Sequence, residues 1–218
     1  MKYVWPVPLT NIEEMKKHSR AIVKADPAFA PIIKSSELCT INRKRPQRGH
    51  YETLVESIIS QQLAVKAADT IFARVRNLAS GSITPEAIHS LSLPELRTAG
   101  VSGAKARAIS ELTEATLSEA INFKKFSKLS NEEISAELTA LWGIGRWTVE
   151  MFLIFHLGRL DLWPVGDLAV RRGWEKIHRL DYEIAPKVLD LEGEKFAGRQ
   201  SVVAWYCWRA TEGDASNW

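Results

Sequence analysis

Cysteine is scarce in this sequence, and its scarcity excludes several kinds of centre. Among 218 residues only Cys39 and Cys207 occur, far apart and without Cys-X-X-Cys spacing. A disulfide framework, a cysteine zinc site and a four-cysteine iron–sulfur cluster all require more thiols than these. We therefore expect none of these centres, and a protein that works in a reducing compartment.

Long apolar runs are missing as well. No stretch approaches the ~20 apolar residues that span a bilayer, and residues 1–9 hold no apolar core long enough for a signal peptide. We expect a soluble intracellular protein with no membrane partner, nuclear in a eukaryote and cytoplasmic in a bacterium or archaeon. The net charge of +3 is consistent with a polyanionic partner but does not establish one.

Runs that alternate between apolar and polar residues, which strands would require, are also absent. Apolar residues instead recur at helical spacing along almost the whole chain, which predicts an all-α class with about ten short helices. The predicted helices begin at Asn11 and Asp26, run from Tyr51 to Val75 with a break at Gln61-Gln62, and include a short one just before a turn at Gly100–Gly103. They then cover 104–120, 131–141 with Ser130 or Asn131 as its cap, 146–157, a segment from Asp167, and 198–213.

The segment "LWGIGRWT", residues 141–148, contains two glycines just before a predicted helix. Gly143 and Gly145 permit a sharp turn into a helix that begins at Arg146, while Ile144 between them would plug into the core. Backbone N–H groups that converge at such a helix start can bind a phosphate. An ordinary αα-hairpin with a glycine cap would use the same residues, so the hairpin alone leaves both interpretations open.

An irregular stretch with Pro164 and Gly166 follows the hairpin helix and leaves Asp167 at the start of the next helix. This order of hairpin, helix, Gly/Pro-rich loop and aspartate resembles the helix-hairpin-helix DNA glycosylase superfamily, and within it the 3-methyladenine DNA glycosylase II (AlkA-like) group. The similarity covers 51–213, including "YETLVESIISQQLAVKAADTIFARV" and "VVAWYCWRATEG". It implies the HhH-GPD fold, with one lobe of residues 49–158 that contains the hairpin, a second lobe of 1–48 and 159–218, and a DNA-binding cleft between them.

The resemblance also implies a reaction, hydrolysis of the N-glycosidic bond between a damaged base and deoxyribose. A fixed carboxylate would stabilise the oxocarbenium-like sugar and orient water, and this role falls on Asp167. The structural alternative for Asp167 is a plain helix N-cap, and Asp161 is the second choice for the carboxylate. Superfamily members that also cleave the DNA strand carry a nucleophilic lysine two positions after the last hairpin glycine. That position is Trp147 in this sequence, so we expect a monofunctional glycosylase without lyase activity.

The same resemblance assigns aromatic and glutamine side chains to the damaged nucleotide. Alkylated purines such as 3-methyladenine and 7-methylguanine are cationic, and Trp147, joined by Trp208, would form a π-rich wall for them. Core packing is the alternative for both tryptophans. The turn at Gln61 and Gln62 matches the wedge of the family, and Gln62 falls on the residue that fills the space left by a flipped-out base.

The DNA backbone would be held through the amides of Gly143, Gly145 and Thr148. The segment "AGVSGAKARA" resembles a second, degenerate hairpin, which makes Gly103 and Lys105 weaker phosphate candidates. Contacts of this kind position a protein without reading sequence, and they make binding weaken as salt is added.

A structural Na+ or K+ ion is implied at the hairpin, chelated by the main-chain carbonyls of Thr139, Leu141 and Ile144, and no cofactor is expected for catalysis. The expected partner is double-stranded DNA that contains damaged bases, bound by a monomer. Two other functions stay open. One is a non-catalytic helix-hairpin-helix DNA-binding protein, against which Asp167 argues, and the other is a glycosylase for oxidised, deaminated or etheno bases, because pocket shape sets the substrate.

Overall fold

Every regular element in the part of the chain that the structure describes is helical. The computed structural model describes residues 8–212, in which twelve α-helices and no β-strand are present, so the predicted all-α class is confirmed. The α-helices are α1 (Ile12–Ala25), α2 (Ala30–Ser35), α3 (His50–Ser60), α4 (Val65–Leu78), α5 (Pro85–His89), α6 (Leu93–Thr98), α7 (Gly103–Leu117), α8 (Asn131–Thr139), α9 (Arg146–Met151), α10 (Leu168–His178), α11 (Pro186–Gly193) and α12 (Gln200–Thr211). Short 3-10 turns occur at Pro27–Phe29, Phe123–Lys125 and Glu194–Phe196, and a π-helix at Phe152–His156. Among these described elements, none is both long and apolar enough to cross a bilayer.

The described residues form two compact units. The first unit, Pro46–Phe152, contains α3 to α9, and the second, 8–45 together with 153–212, contains α1, α2 and α10 to α12. The sequence places the boundaries at 49 and 158, whereas the second junction in the structure falls inside the π-helix that follows α9. Residues 1–7 and 213–218, which the predicted second lobe includes, lie outside the described residues.

Capping boxes with a serine N-cap begin two helices of the first unit. Ser92 at α6 and Ser130 at α8 each form a capping box, with Glu95 and Glu133 as the reciprocal partners. These caps satisfy backbone N–H donors that the first turn of a helix leaves open. The sequence left Ser130 and Asn131 as alternative caps, and Asn131 is instead the first, buried residue of α8.

Helix ends depart from the predicted ones where the backbone leaves α-helical geometry early. Helix α7 ends at Leu117 rather than at 120, and Glu119 then adopts left-handed backbone angles with φ +60°. Helix α9 ends at Met151, and the chain continues to residue 156 as a π-helix rather than as α-helix. The predicted set lacks α5 and α11, although Pro85 and Pro186 in their first turns are a recognised start signal.

Aromatic rings fill the core of the second unit. Phe29 makes edge-to-face contacts with Trp174, His178 and Phe196, each at a centroid separation of 5.7 Å. Nε2 of His178 also lies 2.9 Å from Oδ2 of Asp26, which caps the 3-10 turn that carries Phe29. Aromatic packing of this kind contributes beyond the area it buries, and it joins α10 to the segment that precedes α2.

Helices α10 and α12 cross with their backbones in direct contact at Gly173. A Cβ atom added to Gly173 would lie only 2.0 Å from the carbonyl oxygen of Cys207. No residue other than glycine fits this crossing without moving one helix. The close crossing also positions two predicted site residues, because Asp167 precedes α10 and Trp208 follows Cys207 in α12.

A buried histidine makes the stability of the first unit depend on pH. The ring of His50 lies among Phe123, Phe126 and Phe152, and burial lowers its pKa to about 4. Because the folded pKa lies below the unfolded value near 6.5, the unfolded chain binds the proton more readily, and stability is lost as pH falls from about 6.5 towards 4.

We expect the free energy of unfolding to drop by roughly 2 kcal/mol between pH 7 and pH 5 because of His50 alone. Chemical denaturation of wild type and of His50→Gln at both pH values measures this contribution. The variant lacks the titrating ring, so its stability should fall less over the same interval. Equal losses in the two proteins would mean that His50 does not carry the pH dependence.

Candidate active site and nucleic-acid interface

The turn between α8 and α9 is built around Gly143. Its φ is +83°, and an added Cβ would lie 2.7 Å from Cβ of Ala108 on α7. Both the backbone angle and the close neighbour therefore require glycine at this position. Ile144 is buried with 3% of its surface exposed, which confirms that it plugs the hairpin into the core.

Gly145 occupies a different environment although it lies two residues away. It is the N-cap of α9, with φ −87°, and an added Cβ would meet nothing within 4 Å. No side chain caps this helix start, and the first helical hydrogen bond runs from Val149 N to Gly145 O. Neither strain nor crowding within the described chain requires glycine here. An open helix N-terminus of this kind is able to accept an anion.

Helix α7 holds the hairpin from one side. Oε2 of Glu111 accepts a hydrogen bond from the backbone N–H of Trp142 at 3.0 Å, and its Oε1 accepts one from Nε of Arg107 at 3.0 Å. The Arg107 guanidinium lies over the Trp142 ring, 4.4 Å from the centroid. Arg107 and Glu111 line one open cavity together with hairpin residues 139–145.

The three predicted cation ligands all line that cavity. Thr139, Leu141 and Ile144 are among its walls, as a shared set of carbonyl ligands requires. The carbonyl of Leu141 also accepts a long hydrogen bond of 3.3 Å from Ile144 N, which leaves its second lone pair available. The lining is what the predicted cation site requires, and the cation itself stays a prediction.

The turn between α3 and α4 touches the hairpin through one glutamine and exposes the other. Nε2 of Gln61 donates to the carbonyl of Gly143 at 3.1 Å and to Oγ1 of Thr148 at 3.3 Å. Gln62 is exposed and has left-handed backbone angles, with φ +56°. The two predicted wedge residues therefore have different environments, and Gln62 is the one available to a ligand.

The second, degenerate hairpin precedes α7. Gly103 is the exposed first residue of that helix, and Ser102 caps it by accepting from Lys105 N. The Lys105 ammonium donates to the carbonyls of Ile59 at 2.8 Å and Gln61 at 2.6 Å, and partial burial lowers its pKa. This predicted phosphate ligand thus points at the end of α3.

Asp167 in the second unit lies where a tight turn meets α10. Its backbone N–H donates to the carbonyl of Pro164, and its side chain caps α10 by accepting from Val170 N at 3.0 Å. The same oxygen, Oδ1, accepts from Nε1 of Trp208 at 3.3 Å. Asp167 is 7% exposed, whereas Asp161 is exposed in the loop. Asp167 is therefore an N-cap, but one held by a tryptophan from another helix.

Phe155 joins this group, although the sequence did not predict it. Its ring packs on that of Trp208 with a centroid separation of 5.3 Å, yet 48% of it is exposed. Phe155 also lines a cavity of about 400 Å³ whose other walls are residues 40–44. It lies inside the apolar run "FLIF", where nothing in the spacing marks one ring as different, and the π-helix turns it outward.

The two predicted pocket tryptophans differ in exposure. Trp147, the second residue of α9, is 52% exposed. Trp208 is half-buried, with its ring packed on Phe155 and its Nε1 donating to Asp167, so both the packing role and the pocket role stay open for it. Among the described residues, no cluster of three or more His, Cys, Asp or Glu side chains is placed to hold a metal ion.

The chain is similar to known DNA glycosylases of base excision repair. The chain matches the model described as "HhH-GPD superfamily base excision DNA repair protein" over residues 55–197. It is 39% identical over 213 residues to "DNA-3-methyladenine glycosylase 1" of Schizosaccharomyces pombe, covering 93% of each chain. The solved S. pombe 3-methyladenine DNA glycosylase in complex with abasic DNA matches with a TM-score of 0.78 at 34% identity, covering 90% of this chain and 97% of that one. A Bacillus halodurans DNA-3-methyladenine glycosidase structure matches with a TM-score of 0.81 at 32% identity, covering 92% of both chains.

Proposed function

The chain belongs to the HhH-GPD superfamily of base excision DNA repair proteins, and we propose that it is a monofunctional glycosylase, which removes alkylated purines of the 3-methyladenine and 7-methylguanine type from duplex DNA. The observation that carries this function is the buried carboxylate of Asp167, fixed at the start of α10 and held by Trp208. A glycosidic bond that breaks in a dissociative manner leaves positive charge on the sugar, and a preorganised carboxylate stabilises that charge.

Water is the nucleophile in this proposal. A strand-cleaving relative needs an amine that forms a Schiff base with the sugar, and the position that would supply it carries Trp147. An indole cannot form such an adduct. Asp167 therefore has two tasks, to stabilise the oxocarbenium-like sugar and to orient a water molecule towards it. The product is an abasic site in an unbroken strand.

Aromatic faces account for the selection of alkylated bases. A methylated purine carries a positive charge, and cation–π attraction to a tryptophan contributes on the order of 1–2 kcal/mol when water is excluded. Trp147 and Trp208 supply such faces, and the ring of Phe155, which packs on Trp208, enlarges the aromatic surface there. Because the damaged base already leaves readily as a neutral purine, the protein needs no strong general acid to protonate it.

The hairpin supplies the DNA-backbone contact. The open start of α9 offers the amides of Gly145 and Thr148 to a phosphate, with that of Gly143 in the turn before them. A Na+ or K+ ion held by the carbonyls of Thr139, Leu141 and Ile144 would add positive charge beside that phosphate. Gln62, exposed on its turn, fills the space that the flipped base leaves. The protein works on duplex DNA as a monomer, in whichever compartment holds the genome.

Alanine substitutions at the two hairpin glycines should separate stability from DNA binding. Gly145→Ala meets open space, so it should cost less than about 1 kcal/mol of stability but lower the affinity for duplex DNA about tenfold, because its methyl group occupies the phosphate site. Gly143→Ala should destabilise the fold by about 2 kcal/mol or more, because of both its φ and Ala108. Denaturant unfolding and fluorescence anisotropy with duplex DNA measure the two quantities. Unchanged DNA affinity in a folded Gly145→Ala protein would show that the hairpin does not contact the DNA backbone.

Release of methylated bases from alkylated duplex DNA tests the proposed function directly. Chromatography of the supernatant should detect 3-methyladenine and 7-methylguanine, and a panel with ethenoadenine and hypoxanthine defines the substrate range. The DNA strand should break only after alkaline treatment. Strand breaks without alkali would contradict the monofunctional mechanism, and DNA binding without release of any base would favour a non-catalytic DNA-binding protein.

A further inference from the structure

One face of α7 contacts both elements that the proposed function brings to DNA. Lys105, Ala108 and Glu111 are spaced three residues apart, which places them as neighbours along one side of the helix. The last two of these face the hairpin: Ala108 packs against Gly143, and Glu111 accepts from the backbone of Trp142. Lys105, at the other end of the face, donates to the turn that carries Gln62.

The Lys105 ammonium caps the C-terminal end of α3. Its two acceptors, the carbonyls of Ile59 and Gln61, lie at the last turn of that helix, at 2.8 and 2.6 Å. Carbonyls at a helix C-terminus lack intrahelical partners and carry the negative end of the helix dipole, so a cation is favourable there. The contact fixes the backbone on the N-terminal side of Gln62.

A second connection runs directly from this turn to the hairpin. The Gln61 side chain donates to Gly143 O and to Thr148 Oγ1, which lie before and after the start of α9. Gln61 is therefore held by Lys105 through its backbone carbonyl, while its own amide holds the hairpin. The turn and the hairpin are joined twice, once through α7 and once through Gln61.

We propose that Lys105 and Gln61 are positioning residues that hold the Gln62 turn at a fixed distance from the phosphate-binding hairpin, so that anchoring of the DNA backbone places Gln62 at the damaged base pair. The inference rests on the proposed function, which supplies the roles of hairpin and wedge. Neither residue contacts the reacting atoms in this proposal.

The conformation of the Gln62 turn explains why it needs positioning residues. Gln62 has φ +56°, an angle that is uncommon for a residue other than glycine, and no side chain caps the following helix α4. Local interactions therefore hold this turn weakly. Inserting a side chain into a base stack requires free energy to break base pairing and stacking. If the turn that carries the side chain must also be ordered on binding, the free energy of that ordering is added.

The role as a phosphate ligand, which the sequence favours for Lys105, makes a different prediction. A lysine that neutralises one phosphate contributes about 0.9 to the slope of log affinity against log salt concentration. A lysine that holds two protein carbonyls contributes nothing to that slope. The salt dependence of binding to undamaged duplex DNA therefore distinguishes the two roles.

Single-turnover excision of 7-methylguanine from two duplexes tests the positioning role. In one duplex the lesion is opposite cytosine, and in the other it is opposite a tetrahydrofuran abasic analogue, so that no base pair resists flipping. Lys105→Met and Gln61→Ala should slow excision of the paired lesion about tenfold and that of the unpaired lesion by less than about twofold. Lys105→Arg should restore most of the rate on the paired lesion. The exposed residues Lys124 and Gln47 provide the matched controls Lys124→Met and Gln47→Ala, which should behave as wild type.

Several outcomes would overturn the inference. Equal slowing on both duplexes, accompanied by a lower melting temperature, would show that the two residues only support the fold. Unchanged rates of Lys105→Met and Gln61→Ala on the paired lesion would show that the Gln62 turn does not depend on these two residues. A salt slope reduced by about 0.9 in Lys105→Met would make Lys105 a phosphate ligand. If wild type releases no base from either duplex, the proposed function itself fails and this inference falls with it.

Discussion

Asp167→Asn should reduce release of methylated purines by about a thousandfold while the protein stays folded and still binds DNA. Asparagine is as good an N-cap as aspartate, so its Oδ1 can still accept from Val170 N. The same oxygen can also accept from Nε1 of Trp208. The substitution thus removes the negative charge and keeps both hydrogen bonds, and in the proposed mechanism it is this charge that stabilises the oxocarbenium-like sugar.

Single-turnover excision from methylated duplex DNA measures this loss, because it reports the chemical step without product release. Asp161→Asn is the matched control, since it removes the same charge from an exposed loop position six residues earlier. It should retain the wild-type rate. Wild-type activity in Asp167→Asn would refute the catalytic role and leave Asp167 as a structural N-cap only.

Gly173→Ala should destabilise the protein by about 3 kcal/mol or more, enough to lower the yield of folded protein. The added methyl carbon would lie 2.0 Å from the Cys207 carbonyl oxygen and 2.7 Å from its Cα, and both are backbone atoms that cannot rotate away. Relief requires α10 to move off α12. Since Asp167 begins α10 and Trp208 lies on α12, the same movement breaks the hydrogen bond between them.

Denaturant unfolding of Gly173→Ala beside Gly166→Ala separates crowding from the general effect of replacing a glycine. An added Cβ at Gly166 meets nothing within 4 Å, and Gly166 is exposed in the same unit. The free energy of unfolding of Gly166→Ala should lie within about 1 kcal/mol of that of wild type. Similar unfolding midpoints for the two variants would mean that α10 and α12 can separate without cost, and the close crossing would then not be what fixes Asp167.

A single tryptophan connects the packing of the second unit to the proposed catalytic carboxylate. Trp208 packs on Phe155 with one part of its ring and donates to Asp167 with its N–H. Phe155 in turn is presented by a π-helix, and π-helical segments are frequent at functional sites. A change at any of these three residues is therefore expected to alter both the position of the carboxylate and the aromatic surface beside it.

Elements whose causes are local were predictable from the order of residues. Gly143 is required by its backbone angle, Asn11 by the cap it forms, and Asp167 by its position between a tight turn and a helix. These causes act within a few residues, so spacing along the chain reveals them. The order of hairpin, loop and aspartate was visible for the same reason.

The directions of the side chains on those elements, by contrast, depend on how the helices pack. Lys105 looks like a phosphate ligand in sequence, yet its ammonium bonds carbonyls more than forty residues away. Gln61 and Gln62 are adjacent, but only the fold directs one to the hairpin and leaves the other exposed. Gly173 lies in a helix where no local rule calls for glycine, and its partner is on α12. Contacts between residues distant in sequence depend on how helices pack, and helical periodicity specifies only which face of each helix is apolar.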